Sequence, residues 1–140
     1  MRTLELREND MVVRGSCLCG AIGYEAELPL AGFVNCHCSR CRKETGSAFG
    51  ANAYVLPDAF RWTRGEDLVR RYDLPDARSF ATSFCATCGS PVPHRTRNGS
   101  AVMIPAGSLD EDPGVGPTAN VHWNSRAPWT VHSGDLPTTE

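Results

Sequence analysis

The sequence predicts a mainly β protein built from antiparallel strands with little helix. Three observations support this prediction. The 13 glycines and 10 prolines in 140 residues favour many turns between short strands. Apolar and polar residues alternate over several short runs, as they do in half-buried strands. The seven cysteines fall in three clusters, and metal ligation can replace part of the core of a small domain. The length predicts a single domain over residues 1–140.

The bulk composition argues against several classes of function. A formal net charge of −2 and a pI near 6.1 argue against a nucleic-acid partner and against binding to an anionic membrane. No stretch approaches the roughly 18 apolar residues of a membrane span, and the N-terminus lacks an apolar signal core. We therefore expect a cytoplasmic protein without a membrane partner, in which the cysteines bind metal rather than form disulfides.

The N-terminal part of the chain predicts two strands. A polar lead-in at residues 1–10 precedes a strand at 11–16, and the sequence CLCG then interrupts the extended chain. A second strand is expected at 21–28, because its apolar side chains stand at alternate positions. Those side chains are Ile22, Tyr24 and Ala26.

One short helix is predicted between two extended segments. The extended segments are 33–38 and 47–55, and the helix lies between them at 39–46. Ser39 is the expected N-cap, and Gly46 stands where a C′ glycine would end the helix.

The second half of the chain predicts more short strands joined by turns. Asn98-Gly99 is a strong hairpin signal, and residues 109–118 have the composition of a loop. The expected strands lie at 60–65, 67–74, 77–84, 91–96, 100–105 and 120–123.

Two pairs of cysteines from distant parts of the chain predict one closed metal site. Cys85 and Cys88 stand in CATCG, where Cys-x-x-Cys spacing lets two thiolates converge on one ion. Cys17 and Cys19 share one face of an extended chain, and a bend at Gly20 lets their sulfur atoms approach each other. Four thiolates complete a tetrahedral structural zinc site with sulfur atoms about 3.8 Å apart. Such a site would join the N-terminal strands to the middle of the chain.

The remaining three cysteines predict a different kind of site. Cys36, Cys38 and Cys41 leave one position of a tetrahedral zinc ion open, which is typical of a catalytic site. Water or a substrate thiolate would fill that position. Nearby cationic residues could offset the thiolate charge or hold a substrate carboxylate. They are Arg40, Arg42 and Lys43.

Other interpretations of the cysteines stay open. The chain could hold a single zinc ion with the other cysteines idle, CATC could be redox-active, or all seven thiols could be unligated. Thiolate sites also suit iron and iron–sulfur clusters. The clustering favours two zinc sites, one structural and one open.

Four segments of the chain resemble the glutathione-dependent formaldehyde-activating enzyme family, which also includes centromere protein V. They are GSCLCGAI, CHCSRCRKETGSAFGA, FCATCGSP and APWTV. The resemblance covers about 15–136 and implies a zinc-bound β-tent of twisted antiparallel sheets. It implies the same division of the cysteines into a structural zinc site and a second zinc site. It also implies carbon–sulfur lyase chemistry, in which glutathione and formaldehyde give S-hydroxymethylglutathione.

A few polar side chains near the open site are further candidates. His37 could be a fourth ligand, although adjacent side chains of an extended segment point apart, which favours a position that supports a ligand or one on the surface. His94 could shuttle a proton or lie on the surface. Ser47, Phe49 and Asn52 could line the cavity of the open site, where Asn52 could donate to a bound carbonyl, and Phe49 is also a core candidate. Two further histidines are expected to be structural or exposed: His122 and His132.

Together these features favour an enzyme, a carbon–sulfur lyase that acts on the adduct of a glutathione-like thiol and a small aldehyde. The alternative is a non-catalytic zinc module that binds protein or nucleic acid. The net charge of −2 and the lack of a long basic tail weaken the nucleic-acid version of that alternative. Metal storage or sensing at the three-cysteine site is a third hypothesis.

Overall fold

The computed structural model describes residues 11–140, which form three β-sheets and, within that range, one α-helix. Almost all strand pairs run antiparallel, so the predicted mainly β class with little helix is confirmed. The polar lead-in predicted at residues 1–10 lies outside the described residues. In the described part of the chain, no helix has the length and apolar character that crossing a membrane requires.

The described strands are, in chain order, β1 (Val12–Ser16), β2 (Gly23–Glu27), β3 (Gly32–Cys36), β4 (Gly50–Val55), β5 (Phe60–Arg64), β6 (Val69–Asp73), β7 (Ala81–Cys85), β8 (Pro91–Val92), β9 (His94–Arg95), β10 (Val102–Pro105) and β11 (Asn120–Val121). The first sheet has the order β1-β2-β5, the second β11-β3-β4-β10-β9 and the third β6-β7-β8. The second sheet carries the three-cysteine segment at the end of β3, and the third sheet carries Cys85 at the end of β7.

The alternation predicted for the second strand is confirmed. Ile22, Tyr24 and Ala26 are almost fully buried, while Glu27 on the other face is exposed. The Tyr24 hydroxyl also forms a hydrogen bond of 2.6 Å with the Ser108 hydroxyl. The strand therefore packs one face on the core and leaves the other to solvent.

The hairpin predicted at Asn98-Gly99 is confirmed, because β9 and β10 pair antiparallel on either side of it. The strand predicted at 120–123 is shorter than expected. It pairs parallel with β3 and ends at Val121, because His122 takes a left-handed backbone conformation with a φ of 54°.

The helix α1 (Ser39–Thr45) follows β3 directly. Its N-cap is Cys38 rather than the predicted Ser39, since the Cys41 backbone N–H donates to the Cys38 Sγ at 3.3 Å. Gly46 ends the helix as predicted, with a φ of 66° and a hydrogen bond from its N–H to the Arg42 carbonyl at 2.8 Å. Single turns of 3-10 helix lie at Pro57–Ala59, Glu66–Leu68, Ala106–Ser108, Trp123–Ser125 and Ser133–Asp135.

The core has two parts. The larger part is formed by side chains of the first and second sheets: Val13, Tyr24, Ala26, Ala53, Val55, Val102 and Ile104. The smaller part contains two cysteines together with Ile22 and Val92, and Trp62 packs against both parts. The cysteines of this smaller part are Cys17 and Cys85, so sulfur atoms take part in the packing of the interior.

Candidate metal centres

The structure gathers four cysteines into a first group, the four-sulfur cluster, which consists of Cys17, Cys19, Cys85 and Cys88. Their Sγ atoms all lie within 4.8 Å of one another. The Sγ of Cys19 lies 3.7 Å from that of Cys17 and 3.9 Å from that of Cys85. A zinc ion with four thiolate ligands places its sulfur atoms about 3.8 Å apart, so the cluster fits a tetrahedral zinc ion.

Two similar turns build this cluster. In one turn the Gly20 N–H donates to the Cys17 carbonyl at 3.0 Å, and in the other the Gly89 N–H donates to the Cys85 carbonyl at 2.8 Å. Both glycines have a positive φ, of 82° and 77°, which other residues rarely adopt. Two backbone N–H groups also donate to sulfur at 3.3 Å, those of Ile22 and Thr87.

Ser90 connects the two turns. Its hydroxyl accepts a hydrogen bond from the Leu18 N–H at 3.1 Å and lies 3.3 Å from the Cys88 Sγ. Hydrogen bonds from Ser90 lower the pKa of Cys88 to about 5. Cys85 and Cys17 are buried and Cys19 is exposed, so the cluster is part of the interior on one side and reaches the surface on the other.

Three cysteines form the second group, the three-sulfur cluster. Cys36 ends β3, Cys38 caps α1 and Cys41 lies in the first turn of that helix, so a strand-to-helix junction aims all three at one point. Their Sγ atoms also lie within 4.8 Å of one another. Burial raises the pKa of Cys36 and of Cys41, and ionised thiolates there need a compensating cation. Zn²⁺ is such a cation and accepts thiolate ligands.

Asn52 supports the three-sulfur cluster from the neighbouring strand β4. Its Nδ2 lies 3.7 Å from the Cys41 Sγ and donates to it. Asn52 also lines the cleft, as predicted, and its donation to a bound carbonyl stays a prediction. An amide that donates to a thiolate orients it and spreads its charge, as partners of metal ligands commonly do.

The three-sulfur cluster opens into a cleft of about 1070 Å³. The cleft wall carries three guanidinium groups and one carboxylate, those of Arg40, Arg78, Arg97 and Glu44. The cleft is therefore cationic although the whole chain has a net charge of −2. Such a wall favours an anionic ligand.

The cationic residues predicted near the cluster have different surroundings. Arg40 lines the cleft. Arg42 donates instead to the carbonyls of His37 and Ser125, so it fixes the backbone, and Lys43 is exposed outside the cleft wall.

Arg97 is a structural member of the wall. Its guanidinium donates to three carbonyls of the loop that follows β6, those of Leu74, Ala77 and Phe80. This contact fixes the loop that carries Arg78 at the mouth of the cleft.

The other predicted candidates divide between the cleft and the interior. His94 lines the cleft and is half-buried, and burial lowers its pKa to about 4. His37 is buried, its Nε2 lies 3.0 Å from the Asn120 Oδ1, and it does not belong to the three-sulfur cluster. Its ring packs against Phe49, and neither Phe49 nor Ser47 lines the cleft.

Several wall residues escaped the sequence analysis, among them Glu44, Arg78 and Arg97, and His122 was expected to be structural or exposed rather than part of the site. Glu44 offered a signal, because it follows Cys41 by three residues and neighbours it on a helix. Arg78 and His122 offered none, since only the packing of distant segments brings them to the cleft.

The fold and the two clusters define a mainly β protein with one four-thiol site built from two distant turns and one three-thiol site open to a cationic cleft. The chain belongs to the glutathione-dependent formaldehyde-activating enzyme family, whose model matches residues 12–125. The solved structure of a Rhodobacter sphaeroides protein, a structural genomics target, is similar to it at 26% identity and a TM-score of 0.59. That similarity covers 77% of this chain and 99% of the Rhodobacter chain. No curated protein matches the chain.

Proposed function

We propose that the protein is a zinc-dependent carbon–sulfur lyase that acts on the adduct of a glutathione-like thiol and a small aldehyde such as formaldehyde. The observation that carries this proposal is the opening of the three-sulfur cluster into the cleft. Zinc bound by three thiolates would lower the pKa of a thiol at its fourth position and orient that thiol. The four-sulfur cluster would hold a structural zinc ion. A reducing cytoplasm, which keeps thiols free, is the expected place of action.

The charge of the cleft supports the glutathione-like character of the thiol. Arg40 and Arg78 are exposed at its wall, and within residues 11–140 neither guanidinium has a hydrogen-bond or ion-pair partner. A glutathione-like thiol carries carboxylates at a distance from its sulfur, and guanidinium groups bind carboxylates through two parallel hydrogen bonds. These two arginines would hold the carboxylates and place the sulfur at the cluster.

The proposed reaction needs no oxidant or reductant. In the direction of synthesis a carbon–sulfur bond forms between the thiol sulfur and the carbonyl carbon. The carbonyl π pair moves to oxygen, which takes one proton, and the thiol loses one. In the direction of cleavage the hydroxyl loses its proton, the carbon–sulfur bond breaks, and its electron pair returns to sulfur. The chain's residues position the two reactants.

The test measures exchange between glutathione, formaldehyde and S-hydroxymethylglutathione by two-dimensional exchange NMR with metal-replete protein. We expect acceleration over the uncatalysed exchange, and we expect Cys36→Ser to remove it. Arg78→Ala should raise KM by about tenfold with little change in kcat, because it removes a contact made equally in the ground state and the transition state. Acceleration that survives Cys36→Ser unchanged would sink the proposal. Binding of nucleic acid with a steep salt dependence and no turnover would favour the non-catalytic module instead.

A further inference from the structure

A second, much smaller cavity adjoins the cleft. Its volume is about 20 Å³, and three of its polar lining residues also line the cleft. Four of its lining residues are polar, and the other four are apolar. The polar lining residues are Glu44, Asn52, Thr82 and His94.

This cavity has the properties of a site for one water molecule. A buried water needs roughly 10–15 Å³ of accessible volume and two to four polar partners. The cavity provides that volume, and a carboxylate, an amide, a hydroxyl and an imidazole line it. Its apolar remainder leaves no polar partners for a second water.

We propose that this cavity binds one water molecule and that Glu44 and His94 use it as a proton relay for the reacting oxygen in the cleft. The inference rests on the proposed function. In cleavage, the adduct hydroxyl gives its proton to the His94 imidazole as the carbon–sulfur bond breaks and its electron pair moves to sulfur. The cavity water and the Glu44 carboxylate share that proton, which is returned to the departing thiolate. In synthesis the same pair takes the thiol proton and delivers it to the alkoxide oxygen.

The positions of the two groups fit these roles. Glu44 comes from α1 and His94 from β9, so two different elements hold them at one cavity that also adjoins the cleft. Asn52 links this wall to the reacting centre, because its amide also contacts the Cys41 Sγ.

The charge states give the two groups different parts in the relay: the lowered pKa of His94 lets it pass a proton on rather than hold it, and the raised pKa of Glu44 favours its accepting one. His94 is neutral near pH 7, since burial and the nearby Arg71 lower its pKa to about 4, with Asp73 opposing them. Burial raises the pKa of Glu44, and its interaction with Thr82 opposes that shift. A neutral imidazole and a carboxylate made more basic by burial can exchange one proton through a water between them.

The first experiment compares Glu44→Gln and His94→Gln with the wild-type metal-replete protein in the exchange assay. We expect kcat to fall by about 10² to 10⁴-fold with KM nearly unchanged, as for the loss of a general acid–base group. Metal content should stay at the wild-type value.

The acidic limb of the pH profile of kcat should change in both variants. Imidazole in solution should restore part of the activity of a third variant, His94→Ala. Two exposed residues outside the cleft give matched controls that should behave as wild type: Glu66→Gln and His132→Gln.

The second experiment does not depend on activity. A high-resolution crystal structure of the metal-replete protein should show an ordered water within hydrogen-bond distance of Glu44 and His94, and the absence of that water would overturn the relay.

Where the first variants lose their fold, Thr82→Val keeps the side-chain volume and removes one polar partner of the water. We expect a fall in kcat of about tenfold for that variant. Full kcat in Thr82→Val, or in the folded Glu44 and His94 variants, would overturn the relay. A bound water in a protein that turns over no adduct would instead refute the proposed function and leave the water site standing.

Discussion

The two clusters offer the same ligand atom in different surroundings. The four-sulfur cluster draws its cysteines from two turns that lie far apart in the chain, and two of those cysteines are packed in the interior with Ile22 and Val92. The three-sulfur cluster draws its cysteines from one junction of a strand and a helix, and it faces a large cationic cleft. The first cluster therefore joins distant parts of the fold, whereas the second belongs to one local segment and opens to a cleft that can admit ligands.

This difference shows that the number of ligands and their spacing along the chain together determine how much a bound metal stabilises the fold. A metal held by residues from distant segments stabilises the folded state, because its binding requires those segments to meet. A metal held by one local segment requires only that segment to be ordered. We infer that the four-sulfur cluster can carry the structural role while the three-sulfur cluster is free to serve chemistry.

The largest expected effect comes from breaking the four-sulfur cluster. Cys17→Ser or Cys88→Ser should unfold the protein, since structural zinc binding contributes on the order of 10 kcal/mol in small domains. The matched variant Cys38→Ser should stay folded and lose one equivalent of metal. Circular dichroism and metal analysis on the same samples check both statements. Equal unfolding of all three variants would show that the two clusters do not differ in this way.

Stepwise removal of metal sharpens the same comparison. A competing chelator should remove the metal of the three-sulfur cluster first, because that site offers fewer protein ligands and opens to solvent. We expect a difference in affinity of about 100-fold, which is about 3 kcal/mol. Metal release followed with a chromogenic chelator should show two phases, and the secondary structure should change only in the second. A single phase accompanied by unfolding would contradict this expectation.

A smaller effect is expected from Asn52. Asn52→Ala removes the amide that donates to the Cys41 Sγ, so the metal affinity of the three-sulfur cluster should fall by about 10 to 100-fold. The four-sulfur cluster should keep its affinity, because Asn52 does not contact it. Chelator competition measures both affinities in one titration. Asn124→Ala, at an exposed position outside the cleft, is the control that should change neither.

The smallest expected effect separates two glycines that both have a positive φ. Gly46 follows the helix of the three-sulfur cluster and Gly89 lies in a turn of the four-sulfur cluster, and a Cβ at either would meet nothing within 4 Å. Replacing either glycine with alanine should lower the free energy of unfolding by about 1 kcal/mol, through backbone strain alone.

Only Gly89→Ala should also weaken the metal of the four-sulfur cluster, because its N–H belongs to the turn that shapes Cys85. Thermal denaturation measures the strain, and chelator competition measures the affinity. Equal metal affinity in both variants would show that the turn tolerates the change.

Several parts of the fold were predictable from local patterns. The alternation of Ile22, Tyr24 and Ala26 predicted which face of the chain is buried along β2 and the residue before it, and Gly46 marked the end of the helix. Other parts were not predictable. The N-cap is Cys38 rather than Ser39, because a sulfur atom that also belongs to the cluster takes the capping hydrogen bond. The pairing of β11 parallel to β3 depends on the path of a long loop, which carries no local pattern.

The candidate site shows the same division. By itself the sequence marked the three local clusters of cysteines, because the spacing within residues 17–19, 36–41 and 85–88 is set by a few bonds of backbone. The union of the first and last of these in one four-sulfur cluster was a prediction, and only the fold brings those cysteines together. Their role as metal ligands stays a prediction. Only the tertiary structure decided which side chains face the open cluster, among them Arg78, His94 and Glu44. Those side chains come from a loop, a strand and a helix, and only the packing of the sheets brings such distant segments to one wall.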